Sequence, residues 1–289
     1  MTFVHTFYSE PLYKNKFAKF EESLNNILWD YGCSAMFVKR FGHKIKLFTD
    51  ERGKELLSCI PYDEVIVLNN VETNPHFAAS FKFYALQQCG LDNILIDGDV
   101  ILTDRKAFDV IRLSKQDVVF SFIEKNDYIL RDINPNNDYK NQQEYFFDLF
   151  KRMNVPGLKY NLPGIFELQY FNTSLIKITD PDLKDEWVEQ YFYHMNLLKD
   201  IDFGSTWPDI IIEQYFLGKI VEEGGYSYKP VIVNFPQGFE WENKMGFSHL
   251  GNTKNQFLPL MQQLILQKDV ELFKRISLKL NEEIKKQHP

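Results

Sequence analysis

The chain has 289 residues, 44% hydrophobic and 25% charged, a globular composition long enough for one large or two small domains, so disorder is excluded as its default state. Lys and Arg number 33 against 40 Asp and Glu, a net charge of −7 with the signs interspersed, so the basic field on which duplex nucleic-acid binding rests is missing and no nucleic-acid partner is expected. No apolar run approaches the roughly 20 residues of a bilayer span and no secretory leader opens the chain, so a cytoplasmic protein without a membrane span is expected.

Short apolar runs with β-branched or aromatic content at residues 3–8, 44–48, 64–68, 93–96 and 117–122 read as strands covered on both faces. Between them, residues 13–29 carry Phe17, Phe20, Leu24, Ile27 and Leu28 at helical spacing, and residues 75–88 carry Phe77, Phe81, Tyr84 and Leu86. This alternation predicts an α/β, Rossmann-like fold with a mainly parallel central sheet, in which ligands sit outside the carboxyl ends of the strands. Residues 124–165 then turn polar and amide-rich around one amphipathic piece, 143–153. A stretch of that length is either a functional segment, such as a lid over an acceptor, or a solvated surface excursion. A strand at 169–178, helices at 181–198 and 208–222 that each open with a proline, and a strand at 228–234 follow. After His249 the chain ends in helix, which gives one domain at 1–255 and a helical tail at 256–289. Cys33, Cys59 and Cys89 are odd in number and widely spaced, and read as buried reduced thiols.

Chemistry concentrates at two places. The apolar run Ile94-Leu95-Ile96 leads straight into Asp97-Gly98-Asp99, which presents two carboxylates where a strand ends. Two acids so close repel unless a cation lies between them, and hard oxygen ligands suit Mg2+ or Mn2+, which take their remaining ligands from phosphates and water. The alternative is an Asp-Gly hairpin turn between two strands. Much later, His249-Leu250-Gly251-Asn252-Thr253-Lys254 combines an imidazole, a glycine that lets a ligand approach the backbone, and an ammonium that can meet a phosphate. His249 read by itself is a satisfied structural histidine.

Asp97-Gly98-Asp99 at a strand end, Tyr170-Phe171-Asn172-Thr173-Ser174-Leu175, and His249-x-Gly251-x-x-Lys254, in this order across residues 1 to 255, resemble the metal-dependent glycosyltransferases that use nucleotide-diphospho-sugars. The pattern is most similar to the retaining glycogenin and lipopolysaccharide galactosyltransferase group of polysaccharide biosynthesis. The resemblance implies that Asp97, Asp99 and His249 hold Mn2+ or Mg2+ against the donor diphosphate, that Lys254 neutralises the leaving phosphate, and that Gly98 and Gly251 leave room at the nucleotide sugar. It places Phe7 and Asp50 where that group holds the base and ribose, Lys82 where it reaches the nucleotide or donor sugar, and Asn172 where an asparagine faces the sugars. Glu213 and Gln214 fall at the place of an Asp-Gln pair beside the anomeric carbon. A UDP-sugar donor ahead of a GDP-sugar, and a glycan or lipid-linked acceptor, complete the implied set. The sequence departs from the group in having Glu at 213 and in lacking Pro-Trp after Lys254.

Bland readings stand beside these. Glu213 and Gln214 are also what the wet face of an amphipathic helix carries, Asp50 is also a helix cap, and Trp207 and Trp241 are also core. Two other functions fit parts of the pattern: a sugar-nucleotide-binding protein without turnover, and an aspartate-nucleophile phosphatase, which would place its acids on the first strand and follow them with Thr instead of Val100.

Overall fold

The computed structural model describes residues 1–14, 20–69, 71, 77–125, 148–157, 169–201, 203, 207–232, 246–251 and 254–287. Its strands in chain order are β1 (Thr2–Phe7), β2 (Lys44–Thr49), β3 (Glu64–Val67), β4 (Asn93–Ile96), β5 (Val100–Leu102), β6 (Val118–Lys125), β7 (Gln169–Ile178), β8 (Tyr228–Pro230) and β9 (Phe247–His249). The fold is α/β with mostly parallel pairing and flanking helices, as the alternation predicts. The chain forms two compact units.

The first unit comprises Met1–Val71, Asp92–Leu113 and Pro236–Pro289. Its sheet runs β3-β2-β1-β4, every pair parallel, with Phe3 opposite both Ile45 and Ile94. Phe3, Val4, Ile45 and Ile94 are wholly buried, which is why these short runs carry apolar residues at successive positions. The parallel register leaves Asp50 and Asp97 just beyond the carboxyl ends of β2 and β4. Helix Phe20–Arg40 extends well past the expected end at residue 29, through Gly32. A Cβ at Gly32 would lie 2.5 Å from Ile276 Cδ1, so this glycine is a packing contact with helix Val270–Gln287 and not a breaker. The C-terminal helices Lys254–Lys268 and Val270–Gln287 both pack on helix Phe20–Arg40 and belong to this unit.

The second unit comprises Glu72–Leu91 and Ser114–Phe235. Here β6 pairs antiparallel with β7 and parallel with β8, with a register shift between Phe120 and Phe122. Helix Ser80–Gln88 packs on helix Pro181–Leu198, where the rings of Phe83 and Tyr191 stack 3.6 Å apart. Helix Pro181–Leu198 matches its expected bounds because both signals are present: Asp180 caps the nitrogen of Leu183 and Pro181 opens the first turn. The stretch expected as one helix at 208–222 is instead helix Trp207–Ile210, a π-helical turn at Ile211–Tyr215, and helix Phe216–Gly224. Within 124–165, residues 148–153 are helical, whereas 126–147 and 158–168 lie outside the described residues, as do Trp241 and positions 233–234 of the expected eighth strand.

Candidate functional site

In the first unit, β4 ends at Ile96 and the chain turns through Asp97-Gly98, the amide of Val100 donating to the Asp97 carbonyl at 3.1 Å. The chain leaves as β5, whose partner is β9 and not β4, so the two-acid turn joins strands of different sheets and no hairpin forms. Antiparallel pairing sets Val100 opposite His249, and the amide of Leu250 donates to the Asp99 carbonyl at 3.1 Å. That register delivers the imidazole to the carboxylate: His249 Nε2 lies 3.7 Å from Asp99 Oδ1. Gly251 then takes φ +45° beside open space, and helix Lys254–Lys268 begins with Lys254, whose Nζ lies 2.9 Å from Asp99 Oδ2.

Helix Phe20–Arg40 completes this cluster with two residues that the sequence pattern does not single out. Asp30 is 2% exposed, its Oδ2 stands 3.9 Å from Lys254 Nζ, and its Oδ1 has no hydrogen-bond partner among the described residues. Tyr31 donates to the Thr6 carbonyl at 2.7 Å and lays its ring where a Cβ of Gly98 would be, so only glycine fits between the two acids. Charge then divides the carboxylates. Burial pushes Asp99 up, but the Lys254 ammonium and His249 outweigh it and hold its carboxyl down at about 2. Burial pushes Asp30 up to about 8 against the pull of Lys254. An aspartate inside the apolar run Leu28-Trp29-Asp30 was the available signal for this residue.

The second unit holds a separate, sealed cluster. Lys82 and Glu213 are 6% and 5% exposed, and Lys82 Nζ donates to Glu213 Oε1 at 2.5 Å and to the Thr173 carbonyl at 3.2 Å. The Thr173 hydroxyl donates to the same Glu213 oxygen, and the Trp187 indole donates to the Glu213 carbonyl at 3.0 Å. Glu213 and Gln214 sit in the π-helical turn, a geometry frequent at functional sites, and Gln214 Oε1 has no hydrogen-bond partner among the described residues. One turn earlier Asp209 accepts from the Ala79 amide at 2.7 Å and from the Tyr191 hydroxyl at 2.6 Å. Burial and then the Glu213 carboxylate push Asp209 up to about 7.

The remaining candidates are occupied locally. Asp50 caps helix Glu51–Leu56 through the Gly53 amide at 2.8 Å, and its other oxygen accepts from Ser9 at 2.6 Å. Phe7 is 7% exposed and packs edge-on against Tyr31. Asn172 donates to Glu124 at 2.7 Å and accepts from the Ser174 amide at 3.1 Å, both within the second unit. Among the described residues no three His, Cys, Asp or Glu side chains are gathered to hold a metal ion. Asp99 and His249 face each other as a carboxylate and an imidazole. No helix among the described residues is long and apolar enough to cross a membrane.

No curated protein matches the sequence. Among solved structures, the chain is similar to the galactosyltransferase LgtC bound to donor and acceptor sugar analogs, at 10% identity and a TM-score of 0.36, over 79% of this chain and 73% of that one. It is also similar to LgtC carrying an active-site substitution (9%, TM-score 0.39, 90% and 95%) and to mouse xyloside xylosyltransferase 1 in its apo form (12%, TM-score 0.36, 80% and 85%). These are distant likenesses. Residues 1–288 match the profile of a family of unknown function, DUF6734, and the chain belongs to that family.

Proposed function

We propose that the protein is a glycosyltransferase that moves a sugar from a nucleotide-diphospho-sugar, a UDP-sugar first, to a hydroxyl of a glycan or lipid-linked acceptor. The observation that carries this reading is the convergence on Asp99 of His249 and Lys254, brought from the far end of the chain by β5–β9 pairing. In the reaction the anomeric carbon–oxygen bond to the diphosphate breaks, its electron pair leaves with the nucleoside diphosphate, and the acceptor oxygen bonds the anomeric carbon as it loses its proton.

Asp99 and His249, with Asp97, are the residues that would hold Mn2+ or Mg2+, and the bound ion supplies Lewis-acid stabilisation of the charge growing on the leaving diphosphate. Lys254 opposes the same growing charge with a second cation. Its ammonium exchanges the Asp99 oxygen for a phosphate oxygen, and the open space beside Gly251 admits that group. Gly98, closed over by Tyr31, keeps the two-acid turn in one conformation. The resemblance assigns Lys82, Asn172, Glu213 and Gln214 to the sugar, and in this chain Lys82 and Thr173 fix the Glu213 carboxylate in place. A sealed Glu213 equally suits the reading of a nucleotide-sugar-binding protein without turnover, since a carboxylate saturated by Lys82 and Thr173 is a poor nucleophile.

Calorimetric titration of UDP- and GDP-sugars with and without Mn2+ tests the proposal. Binding is expected to need the ion and to be lost in Asp99→Asn. Equal, metal-independent affinity in both proteins sinks it, and tight metal-dependent binding without release of UDP moves the protein to the non-catalytic reading.

A further inference from the structure

At the amino edge of the first unit's parallel sheet, opposite the end that carries Asp97, lies a half-open cavity of about 480 Å³ lined by Arg40, His43, Arg105, Phe108 and Arg112. Each cation reaches it by a separate local device. Arg40 ends helix Phe20–Arg40, which Gly42 at φ +77° terminates so that the chain turns into His43 and β2. Arg105 and Arg112 stand at the two ends of helix Arg105–Leu113, whose Phe108 forms an apolar floor with Phe41, the rings 4.8 Å apart.

Arg40 and Arg112 stand in the last turns of their helices, where the dipole favours a cation, but one charge runs against that preference. Arg105 occupies a helix N-terminus, the end whose dipole disfavours a cation. Among the described residues neither Arg40 nor Arg105 has an ion pair, and the acid in the lining, Asp109, is taken by Arg112 at 3.0 Å. His43, packed against Phe108 at 4.9 Å, is held below its ordinary value by burial and then by the surrounding positive charge. In a chain of net charge −7, cations converging unpaired on one concave apolar floor raise the local potential and favour an anion there.

We propose that this amino-edge cavity is a binding site for a phosphate-type oxyanion, gripped by the guanidinium forks of Arg40 and Arg105 over the Phe41–Phe108 floor. Planar forks match such oxygens two at a time, and an apolar floor strengthens the pairing. Two sources offer this group: a free phosphorylated molecule and an anionic lipid headgroup.

Titration with inorganic pyrophosphate in EDTA, which removes any metal-held diphosphate, reads the first source. Cosedimentation with phosphatidylcholine vesicles, with and without phosphatidylglycerol, reads the second. Binding in at least one arm is expected, weakened about tenfold or more in Arg40→Ala/Arg105→Ala and unchanged in Lys254→Ala and in the exposed control Arg275→Ala. If the double variant fails to melt cooperatively, Arg105→Gln alone carries the comparison. No binding in either arm, binding that survives loss of the arginines, or binding lost only in Lys254→Ala each overturns the proposal.

Discussion

The two charged clusters solve the burial of ions in opposite ways. In the first unit the Lys254 and His249 side chains keep 38% and 19% of their surface exposed, so Asp99 is faced by an ammonium and an imidazole that can change partners. In the second unit Lys82 and Glu213 are each only 7% exposed at the side chain and are joined to each other and to Thr173. An ion pair in contact with water is cheap to open and can trade a carboxylate for a phosphate, whereas a sealed pair costs several kcal/mol to break and holds its geometry. The first arrangement is suited to receiving a ligand and the second to keeping one carboxylate still.

This contrast fails first if Glu213→Ala is tolerated. Removing the carboxylate leaves Lys82 buried without compensation and is expected to cost about 3–5 kcal/mol in denaturant unfolding, with Lys82→Met/Glu213→Leu recovering most of it. Lys254→Ala, by contrast, is expected to cost less stability than Glu213→Ala, because its ammonium is more exposed than that of Lys82, while lowering turnover about a hundredfold, since that ammonium faces charge that grows as the phosphate leaves. His249→Ala should instead weaken Mn2+-dependent nucleotide binding, an interaction made in ground and transition states alike. A loss of stability in Lys254→Ala equal to that in Glu213→Ala would erase the distinction between an open and a sealed cluster.

The pH dependence of stability sharpens the same comparison, because the key aspartates shift in opposite directions. Asp99 lies below its ordinary 3.8, so its contribution is present above that value and is lost as the pH falls toward about 2. Asp209 lies above, so its contribution is full below 3.8 and is lost as the pH rises through about 7. Melting temperatures across the pH range should therefore lose slope on the acid side in Asp99→Asn and on the neutral side in Asp209→Asn. Exchange of these two outcomes would mean that the partners are misassigned. The smallest effect is expected from Asp50→Ala, about 1 kcal/mol for a lost helix cap, with nucleotide affinity unchanged if capping is its whole role.

The parallel strands were legible because burial on both faces writes successive apolar residues, and β4 falls where its run predicts. Helix Phe20–Arg40 runs beyond the expected end at residue 29, and Asp30 and Tyr31 lie in that added length, where only the distant Ile276 explains Gly32. The acids at 97 and 99 and the His249 motif stand out as candidates by residue type and spacing. What was not readable is pairing: three-residue strands such as β5 and β9 have too little pattern to announce themselves, and nothing local says that Val100 meets His249. The π-helical turn at Glu213 is equally silent, because one extra residue in a turn leaves the apolar spacing nearly unchanged.

The pairing of β5 with β9 also orders the birth of the molecule. The sheet strands β1 to β4 and the two-acid turn emerge from the ribosome early, but residue 100 must wait for residue 249 before Asp99 meets a cation. Contacts between such distant positions form late, since the intervening chain must first be closed into a loop. Until residues 249–254 have been made, the nascent protein therefore carries its acidic turn without the histidine and lysine that face Asp99 in the folded chain.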